Sequence, residues 1–169
     1  SEKYDNNYQY DGSCMVSSIS LNSGMLVANT YKASASEKER IDAVSFALLS
    51  SNVEYSVQIY NNCKNYKLMN GEALLSEPVE GCTSYPGYYT IEIPEDVVVS
   101  RGDEYTVCIE FRSSDGGSVD VLIDHSATDE IGNFEFTNNL ENDRSYYGQY
   151  FDLSSTGMYF SDLVSSYEC

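Results

Sequence analysis

The sequence predicts an all-β protein with a jelly-roll-like antiparallel β-sandwich. Three observations carry this prediction. Apolar and polar residues alternate with a period of two in several separate runs, which is typical of strands with one buried face. Clusters of Gly, Pro, Asn, Asp and Ser interrupt the runs about every 8–12 residues, as they do in sandwiches and barrels. No repeat of fixed period is present, so a propeller or a solenoid is not expected.

The central stretch, Tyr85 to Phe111, contains the clearest alternation. Residues 89–93 place Tyr and Ile on one face, and residues 105–111 place Tyr, Val, Ile and Phe on one face. Pro94 and Gly102 lie between these runs, and both residue types are typical of turns. We therefore predict strand, turn, short strand, turn and strand, forming one antiparallel sheet on which the rest of the chain packs.

The other strands are predicted from shorter runs. Residues 53–60 alternate cleanly, with four apolar or aromatic residues on one face. Residues 61–81 are predicted as a long hairpin region with a short strand at 73–75. Residues 119–123 follow a Gly-rich turn, so we expect them to pair with the preceding strand. Further strands are predicted at residues 14–20, 25–31, 134–136, 146–153 and 157–160.

The segment that begins at Ser34 permits two interpretations. Ser34 and Glu37 have the spacing of a capping box, which would begin a helix. Val44, Phe46 and Leu48 instead alternate as residues of a strand do. Periodicity alone does not decide between helix and strand here.

Length and charge narrow the class of protein. A chain of 169 residues suits one domain, and we expect residues 1–169 to form a single module of a larger secreted protein. Nine basic and 27 acidic residues give a net charge of −18, which disfavours nucleic acid and anionic membranes as partners. No apolar run approaches the ~18–20 residues of a membrane span. We therefore expect the protein to be secreted or held at a cell surface.

Five cysteines are present, and no pair has CxxC spacing. With a single His in the chain, a zinc site is not expected. Cys63 and Cys82 lie in turn-rich sequence on either side of one hairpin-like loop, and we predict a disulfide between them. Cys14 and Cys169 lie near the two chain ends and would pair if these ends meet. Because the number of cysteines is odd, at least one of them has a free thiol. We expect this residue to be Cys108, which lies inside a predicted strand.

Six short segments follow one another across nearly the whole chain. They are YQYDG (8–12), VANTYKA (27–33), DAVSF (42–46), EYSVQIY (54–60), PGYYTIEI (86–93) and RGDEYTVCIEF (101–111). Their order and spacing resemble the lectin-like module that follows the papain-type catalytic domain in cysteine peptidases of clostridia and ruminococci. The resemblance implies a strand at the third segment, and an accessory role in binding carbohydrate or substrate beside a peptidase domain.

Catalysis by this chain is not expected. A papain-type site needs a Cys, a His and an orienting Asn or Asp, but His125 is the only His and no Cys has the sequence setting of that family. Any peptidase activity would belong to a domain outside this chain. A glycosidase needs two carboxyl groups at a set separation across a sugar cleft. With 27 acidic residues, chance pairs are expected, so the sequence does not identify such a site.

A structural calcium ion is the only cofactor that we consider. Calcium needs oxygen ligands from loops, and no EF-hand sequence is present. The alternative is a solvated acidic surface without a metal. The candidate ligands are Asp11, Asp115, Asp120, Asp124 and Asp129.

Sugar binding needs a shallow site with an exposed aromatic ring and a few fixed polar groups. Tyr-rich segments near turns meet this need best, although each Tyr has the alternative role of packing at a strand edge. The absence of Trp removes the largest stacking surface. The N-terminal Tyr4, Tyr8 and Tyr10 form one further group. The predicted ligand-binding residues are Tyr85 and Tyr88 in one segment, and Asp143, Arg144, Tyr146 and Tyr147 in another.

The sequence therefore predicts a non-catalytic accessory module of a secreted bacterial cysteine peptidase that binds carbohydrate or glycoprotein substrate. The alternative is a structural spacer or a protein-interaction module of a cell-surface or polysaccharide-degrading complex. The acidic surface, which contains few motifs, favours this alternative.

Overall fold

The computed structural model describes residues 16–22, 25–34, 37–61, 71–124, 145–149 and 160–162. Every regular element within them is a β-strand, which confirms the predicted all-β class. None of the described residues belongs to a helix long and apolar enough to cross a membrane. The strands are β1 (Val16–Leu21), β2 (Met25–Lys32), β3 (Lys38–Leu48), β4 (Val53–Asn61), β5 (Glu72–Ala73), β6 (Val79–Thr83), β7 (Gly87–Ser100), β8 (Glu104–Ser113), β9 (Val119–Asp124), β10 (Ser145–Gln149) and β11 (Phe160–Asp162).

These strands form two antiparallel sheets that pack together, which confirms the predicted β-sandwich. The smaller sheet has the strand order β1-β9-β3-β7. The larger sheet has the order β11-β10-β2-β8-β4-β5, and β6 also pairs with β4. Strands β5 and β6 therefore lie one after the other along the same edge of β4. The jelly-roll connectivity stays a prediction.

The core lies between the two sheets and follows from the alternation. In β4 and β8 every second residue faces inward, where Val, Ile and Phe side chains meet those of the smaller sheet. Burying one such side chain fully contributes about 1.5–3 kcal/mol before the loss of chain entropy is counted. The most deeply buried large side chains are Phe111, Leu21, Leu48, Ile59, Val53, Val57 and Val119.

An aromatic cluster joins the two sheets at one end of this core. The Phe46 ring of β3 lies 5.1 Å from that of Phe111 and 5.3 Å from that of Tyr55, both in the larger sheet. On the other side of Phe46, the Tyr89 ring of β7 lies at 5.9 Å. Phe46 thereby fixes the beginning of β7 against the core.

Strand β7 corrects the prediction for the central stretch. Residues 87–100 form one strand of 14 residues and not two strands separated by a turn. The register between β7 and β3 shifts between Ile41 and Ala43, which marks a β-bulge or irregularity opposite Pro94. A proline has no N–H to donate to the ladder and is therefore tolerated where the ladder is interrupted.

The predicted turn at Gly102 is confirmed, but it joins strands of different sheets. Gly102 has a φ of 93°, and the Asp103 N–H donates to the Ser100 carbonyl at 2.9 Å. Strand β7 belongs to the smaller sheet and β8 to the larger one, so the prediction of one sheet was wrong. Alternation shows which face of a strand is buried but not which strand it pairs with.

Strand β9 gives a second correction of the same kind. It was expected to pair with the preceding strand, β8. It pairs instead with β1 along its whole length and with β3 through Leu48 and Val121. The connection at residues 114–118 therefore leads from the larger sheet to the smaller one.

The segment after Ser34 is a strand. Residues 38–48 form β3, with Val44, Phe46 and Leu48 buried against the larger sheet. This confirms the strand interpretation and excludes the helix. Strands β2 and β4 match their predicted ranges closely, whereas β6 was not predicted as a separate strand. The strand predicted at residues 134–136 lies outside the described residues.

Strand β8 is buried on both of its faces, so the centre of the larger sheet is not open to a ligand. On its outer face Thr106 and Cys108 are almost fully buried, and the Thr106 hydroxyl lies 2.8 Å from that of Thr30. Cys108 is thus buried within a strand, as predicted. The outer face of the smaller sheet carries the exposed Ser18, Ser45 and other polar residues, so this face is open to solvent.

Candidate functional site

The corner between β6 and β7 holds the first predicted pair of ligand-binding residues. Strand β6 ends at Thr83 and β7 begins at Gly87. The Tyr89 ring points inward, and its hydroxyl donates a hydrogen bond to the Tyr85 carbonyl. This bond anchors the corner to the core, while Tyr88, one position before Tyr89, points to the opposite face of the sheet.

Tyr85 and Tyr88 are the two mostly exposed aromatic side chains among the residues whose burial the structure describes. Their exposed fractions are 75% and 82%. The sequence placed Tyr89, Ile91 and Ile93 on one face of their strand, so Tyr88 was expected on the other, and its exposure confirms this. The role of both residues in ligand binding stays a prediction.

The surface beside Tyr88 is built from small side chains of β3. Ala47 is the register partner of Tyr88, and Ser45 is the partner of Thr90. The Ser45 and Thr90 hydroxyls are 2.9 Å apart, and both residues are exposed. Ala47 is itself buried, at 8% exposed, whereas the Tyr88 ring and the two hydroxyl groups are exposed. We call this surface the Tyr88 platform; its residues are Tyr85, Tyr88, Thr90, Ser45, Ala47 and the exposed Leu49.

A carboxylate borders the platform on the side of β9. Asp120 pairs in register with Ser20, whose hydroxyl donates to the Asp120 carboxylate. The Asp120 backbone is held as well: its N–H donates to the Ser50 hydroxyl at 2.8 Å, and its carbonyl accepts from the Leu49 N–H at 2.8 Å. The carboxylate is thus fixed on the same outer face as Tyr88, across β3.

The second predicted group of ligand-binding residues is only partly described. Asp143 and Arg144 lie outside the described residues. Tyr146 and Tyr147 lie in β10, which pairs with β2 in the larger sheet. The structure therefore places Tyr146 and Tyr147 in a different sheet from Tyr88.

Cys82 is an exposed cysteine of β6, in register with Glu54, and its thiol is free in the structure. Cys63 lies outside the described residues, so the disulfide between Cys63 and Cys82 stays a prediction. The sequence around Cys82 is rich in turn residues, but strand β6 continues to Thr83. Burial raises the pKa of the nearby Tyr55 hydroxyl, and the charge of a Cys82 thiolate raises it further.

The arginines of the described strands are ion-paired. The Arg112 guanidinium lies 2.7 Å from the Glu110 carboxylate, which raises the pKa of Arg112 through this hydrogen bond and charge. Arg40 contacts Asp42 at 2.5 Å, and the pKa of Arg40 is likewise raised. The Arg40 pair is exposed and adds little to stability, whereas the Glu110 side chain of the other pair is only 10% exposed.

The described residues contain no group of three or more His, Cys, Asp or Glu that could hold a metal ion. Of the calcium candidates, Asp115 lies in the turn after β8. Its carboxylate accepts from the Ser113 hydroxyl at 2.5 Å and the Gly117 N–H at 3.0 Å, which lowers its pKa. Asp11 and Asp129 lie outside the described residues, as does His125.

Sequence reasoning found Tyr85 and Tyr88 but missed the hydroxyl groups beside them. Ser45 and Thr90 are separated by a long stretch of chain, and only the pairing of β3 with β7 brings them together. The sequence did contain one indication of the exposed hydroxyl of Ser45. Ser45 lies between the apolar Val44 and Phe46, and in a strand with one buried face such a residue points outward.

The fold and this surface together define a β-sandwich module with one exposed, Tyr-bearing sheet face. The chain belongs to the family described as "Lectin like domain", whose sequence model matches residues 7–168. This confirms the resemblance that the sequence segments indicated. No curated protein matches the chain.

Two solved structures are similar to this chain. One contains the cysteine protease and lectin-like domains of Cwp84, a surface layer associated protein of Clostridium difficile. It has a TM-score of 0.57 and 18% identity, over 86% of this chain and 29% of that one. The other is the clostridial cysteine protease Cwp84 after propeptide cleavage, with a TM-score of 0.63 and 18% identity over 95% of this chain and 36% of that one. This chain thus spans about a third of the length of those solved chains, and the likeness supports a shared fold.

Proposed function

We propose that this chain is a non-catalytic module that binds carbohydrate or glycoprotein substrate through the Tyr88 platform. It works beside a cysteine peptidase domain, in a secreted or cell-surface protein. The single observation that carries the binding function is the exposed Tyr88 ring beside two exposed hydroxyl groups, those of Ser45 and Thr90, which are in register.

The chemistry of the platform suits a sugar ring. One face of a pyranose is lined by C–H groups, which pack on an aromatic ring, while its hydroxyls need fixed polar partners. A Tyr side chain supplies a rigid contact with few rotatable bonds, and Ser and Thr supply adaptable hydrogen bonds. Tyr88, Ser45 and Thr90 combine these properties at neighbouring register positions.

The attached peptidase is proposed from the comparisons. The cysteine protease and lectin-like domains of Cwp84 are part of one protein, which is associated with a surface layer. At 18% identity the likeness supports a shared fold. The presence of a peptidase domain beside this chain is therefore part of the proposal. A module of this kind would hold glycosylated substrate near the catalytic domain and raise its local concentration.

A glycan array with the purified module tests the proposal, run once with calcium and once with chelator. Saturable binding to a defined class of glycan is expected. Loss of binding in chelator would place a calcium ion at or beneath the site, and unchanged binding would remove calcium from the proposal. No binding in either condition by folded protein would contradict carbohydrate binding and favour the structural or protein-interaction module.

A further inference from the structure

We propose that residues 74–76 form a strap that closes one edge of the sandwich, and that the Glu95 carboxylate latches this strap and releases it on protonation. The strap lies between β5 and β6 at the edge of the larger sheet, whereas Glu95 lies in β7 of the smaller sheet. This latch is independent of the carbohydrate binding that we propose for the Tyr88 platform.

Strand β4 holds the strap to the larger sheet. The Leu74 N–H donates to the Ile59 carbonyl at 2.8 Å. The Gln58 side chain binds both polar backbone groups of Leu75: its oxygen accepts from the N–H at 3.3 Å, and its amide nitrogen donates to the carbonyl at 3.4 Å. The Leu75 side chain is 3% exposed and belongs to the same buried cluster as Val97 of β7. The strap therefore covers the core where the edges of the two sheets meet.

An interruption in the pairing of β7 brings Glu95 to the strap. Residues 93–96 of β7 have no register partner in β3, where Asp42 alone lies between the paired positions. Extra residues on one strand bend it and re-aim its side chains. The Glu95 carboxylate accepts from the Ser76 hydroxyl at 2.6 Å and from the Ser76 N–H at 3.1 Å. These hydrogen bonds tie the strap to the smaller sheet.

The strength of the latch depends on the charge of Glu95. Hydrogen bonds from the Ser76 hydroxyl, the Ser76 N–H and the Glu77 N–H lower the pKa of Glu95. The ionised carboxylate therefore stabilises the closed strap fully above the ordinary pKa of a glutamate. This stabilisation is lost as the pH falls through the lowered value. A protonated carboxyl group accepts more weakly, because charge strengthens such hydrogen bonds.

No cation in the described part of the chain forms an ion pair with Glu95. Arg40 of β3 contacts Asp42 at 2.5 Å and Asp96 at 3.5 Å instead. The donors of the strap are therefore the groups that stabilise the charged form of Glu95. The other charged residues close to the bulge and to the strap along the chain are all acidic: Glu72, Glu77, Glu80, Glu92, Asp42 and Asp96.

Hydrogen exchange measured by NMR at about pH 7 and about pH 3 tests the latch, because it reports local opening residue by residue. Protection factors are corrected for the effect of pH on intrinsic exchange. They are compared between the amides of Leu75 and Ser76 and those of the buried Val57 and Ile109 in the core strands. At the lower pH we expect the strap amides to open about fivefold more readily relative to the core amides.

Two variants separate the latch from the general charge of the protein. Glu95→Gln keeps the size of the side chain without its charge. We expect it to show the larger opening already at pH 7 and to lose most of the pH dependence. Glu72→Gln makes the same change of charge in β5, beside the strap, and is expected to leave both properties unchanged.

Three results would overturn the latch. The first is equal relative protection of the strap at the two pH values. The second is an equal effect of Glu95→Gln and Glu72→Gln, which would reflect the general acidic charge. The third is exchange of the strap amides only together with the core amides, which would show that the strap does not open separately. If acid unfolds the whole module, the comparison of the two variants with the wild type at pH 7 decides.

Discussion

A side chain at Gly81 in β6 is expected to destabilise the fold, because Tyr55 of β4 lies against this position. The two residues are register partners. A Cβ at Gly81 would overlap the hydroxyl and Cζ of Tyr55 and lie 3.0 Å from Cε1. The Tyr55 ring also packs at 5.3 Å on Phe46, so it cannot move aside without disturbing the aromatic cluster.

Two opposing effects set the size of the change for Gly81→Ala. A methyl group forced into a packed site costs about 1–3 kcal/mol, whereas replacing Gly by Ala restricts the unfolded chain and regains about 0.4–1 kcal/mol. The expected net loss in the free energy of unfolding is about 1–2 kcal/mol. For a chain of this length that loss lowers Tm by about 2–8 °C.

Urea denaturation of four proteins measures this effect. They are the wild type, Gly81→Ala, Tyr55→Leu and the double variant. Because Leu is shorter than Tyr, we expect the loss from Gly81→Ala to disappear in the Tyr55→Leu background, so that the two substitutions are coupled. A loss below about 0.5 kcal/mol in the wild type, or an equal loss in both backgrounds, would refute the packing argument.

Three other features give direct predictions. Glu95 accepts hydrogen bonds from the hydroxyl and the N–H of Ser76, which lower the pKa of its carboxyl from the ordinary value. This carboxylate therefore stabilises the fold above its unfolded pKa, and the stabilisation is lost as the pH falls through the lowered value. Glu95→Gln is expected to weaken the acid dependence of stability in urea titrations, and an unchanged pH profile would contradict the contact. Asn52 has a φ of 54°, so Asn52→Ala is expected to cost about 1 kcal/mol and Asn52→Gly less, by thermal denaturation. Equal losses would show that backbone strain is not the cause. A thiol reagent is expected to modify the exposed Cys82 in native protein and to reach the buried Cys108 only after unfolding. Resistance of Cys82 before reduction would indicate a disulfide instead.

The fold class was predictable because burial of one strand face leaves a direct trace in the sequence. The alternation over β4 and in the first half of β7 matches the observed inward residues, such as Val57 and Ile93. The partners of each strand leave no such trace. Alternation in β9 is satisfied equally well beside β8 or beside β1, and only packing of the whole chain selects β1.

The prediction of a turn at Pro94 was wrong, although the rule behind it, that Pro disturbs strand pairing, was correct. Pro usually interrupts pairing, and here the ladder is interrupted. The chain nevertheless continues as the same strand, because the register shift lets the pairing resume at Val97. A single residue type therefore marks an interruption without showing whether the strand ends.

The candidate site was predictable in part for the same reason. Tyr88 lies outward by its phase within one strand, which is local information. Ser45 and Asp120 reach its surroundings through pairing of β3 with β7 and with β9, which is non-local. Sequence reasoning therefore found the aromatic ring but not the polar groups around it.

The most direct test of the account measures glycan affinity of Tyr88→Ala beside the matched variant Val98→Ala. Val98 is 52% exposed on the same strand, near its other end, and is a control for loss of an exposed apolar side chain. Covering about 60 Å² of one ring face at about 25 cal/mol per Å² is worth about 1.5 kcal/mol, or roughly a tenfold change in Kd. With the tightest-binding glycan of the array, Tyr88→Ala is expected to raise Kd about tenfold and Val98→Ala to leave it unchanged. Wild-type affinity in folded Tyr88→Ala protein would contradict the assignment of the binding site to the Tyr88 platform.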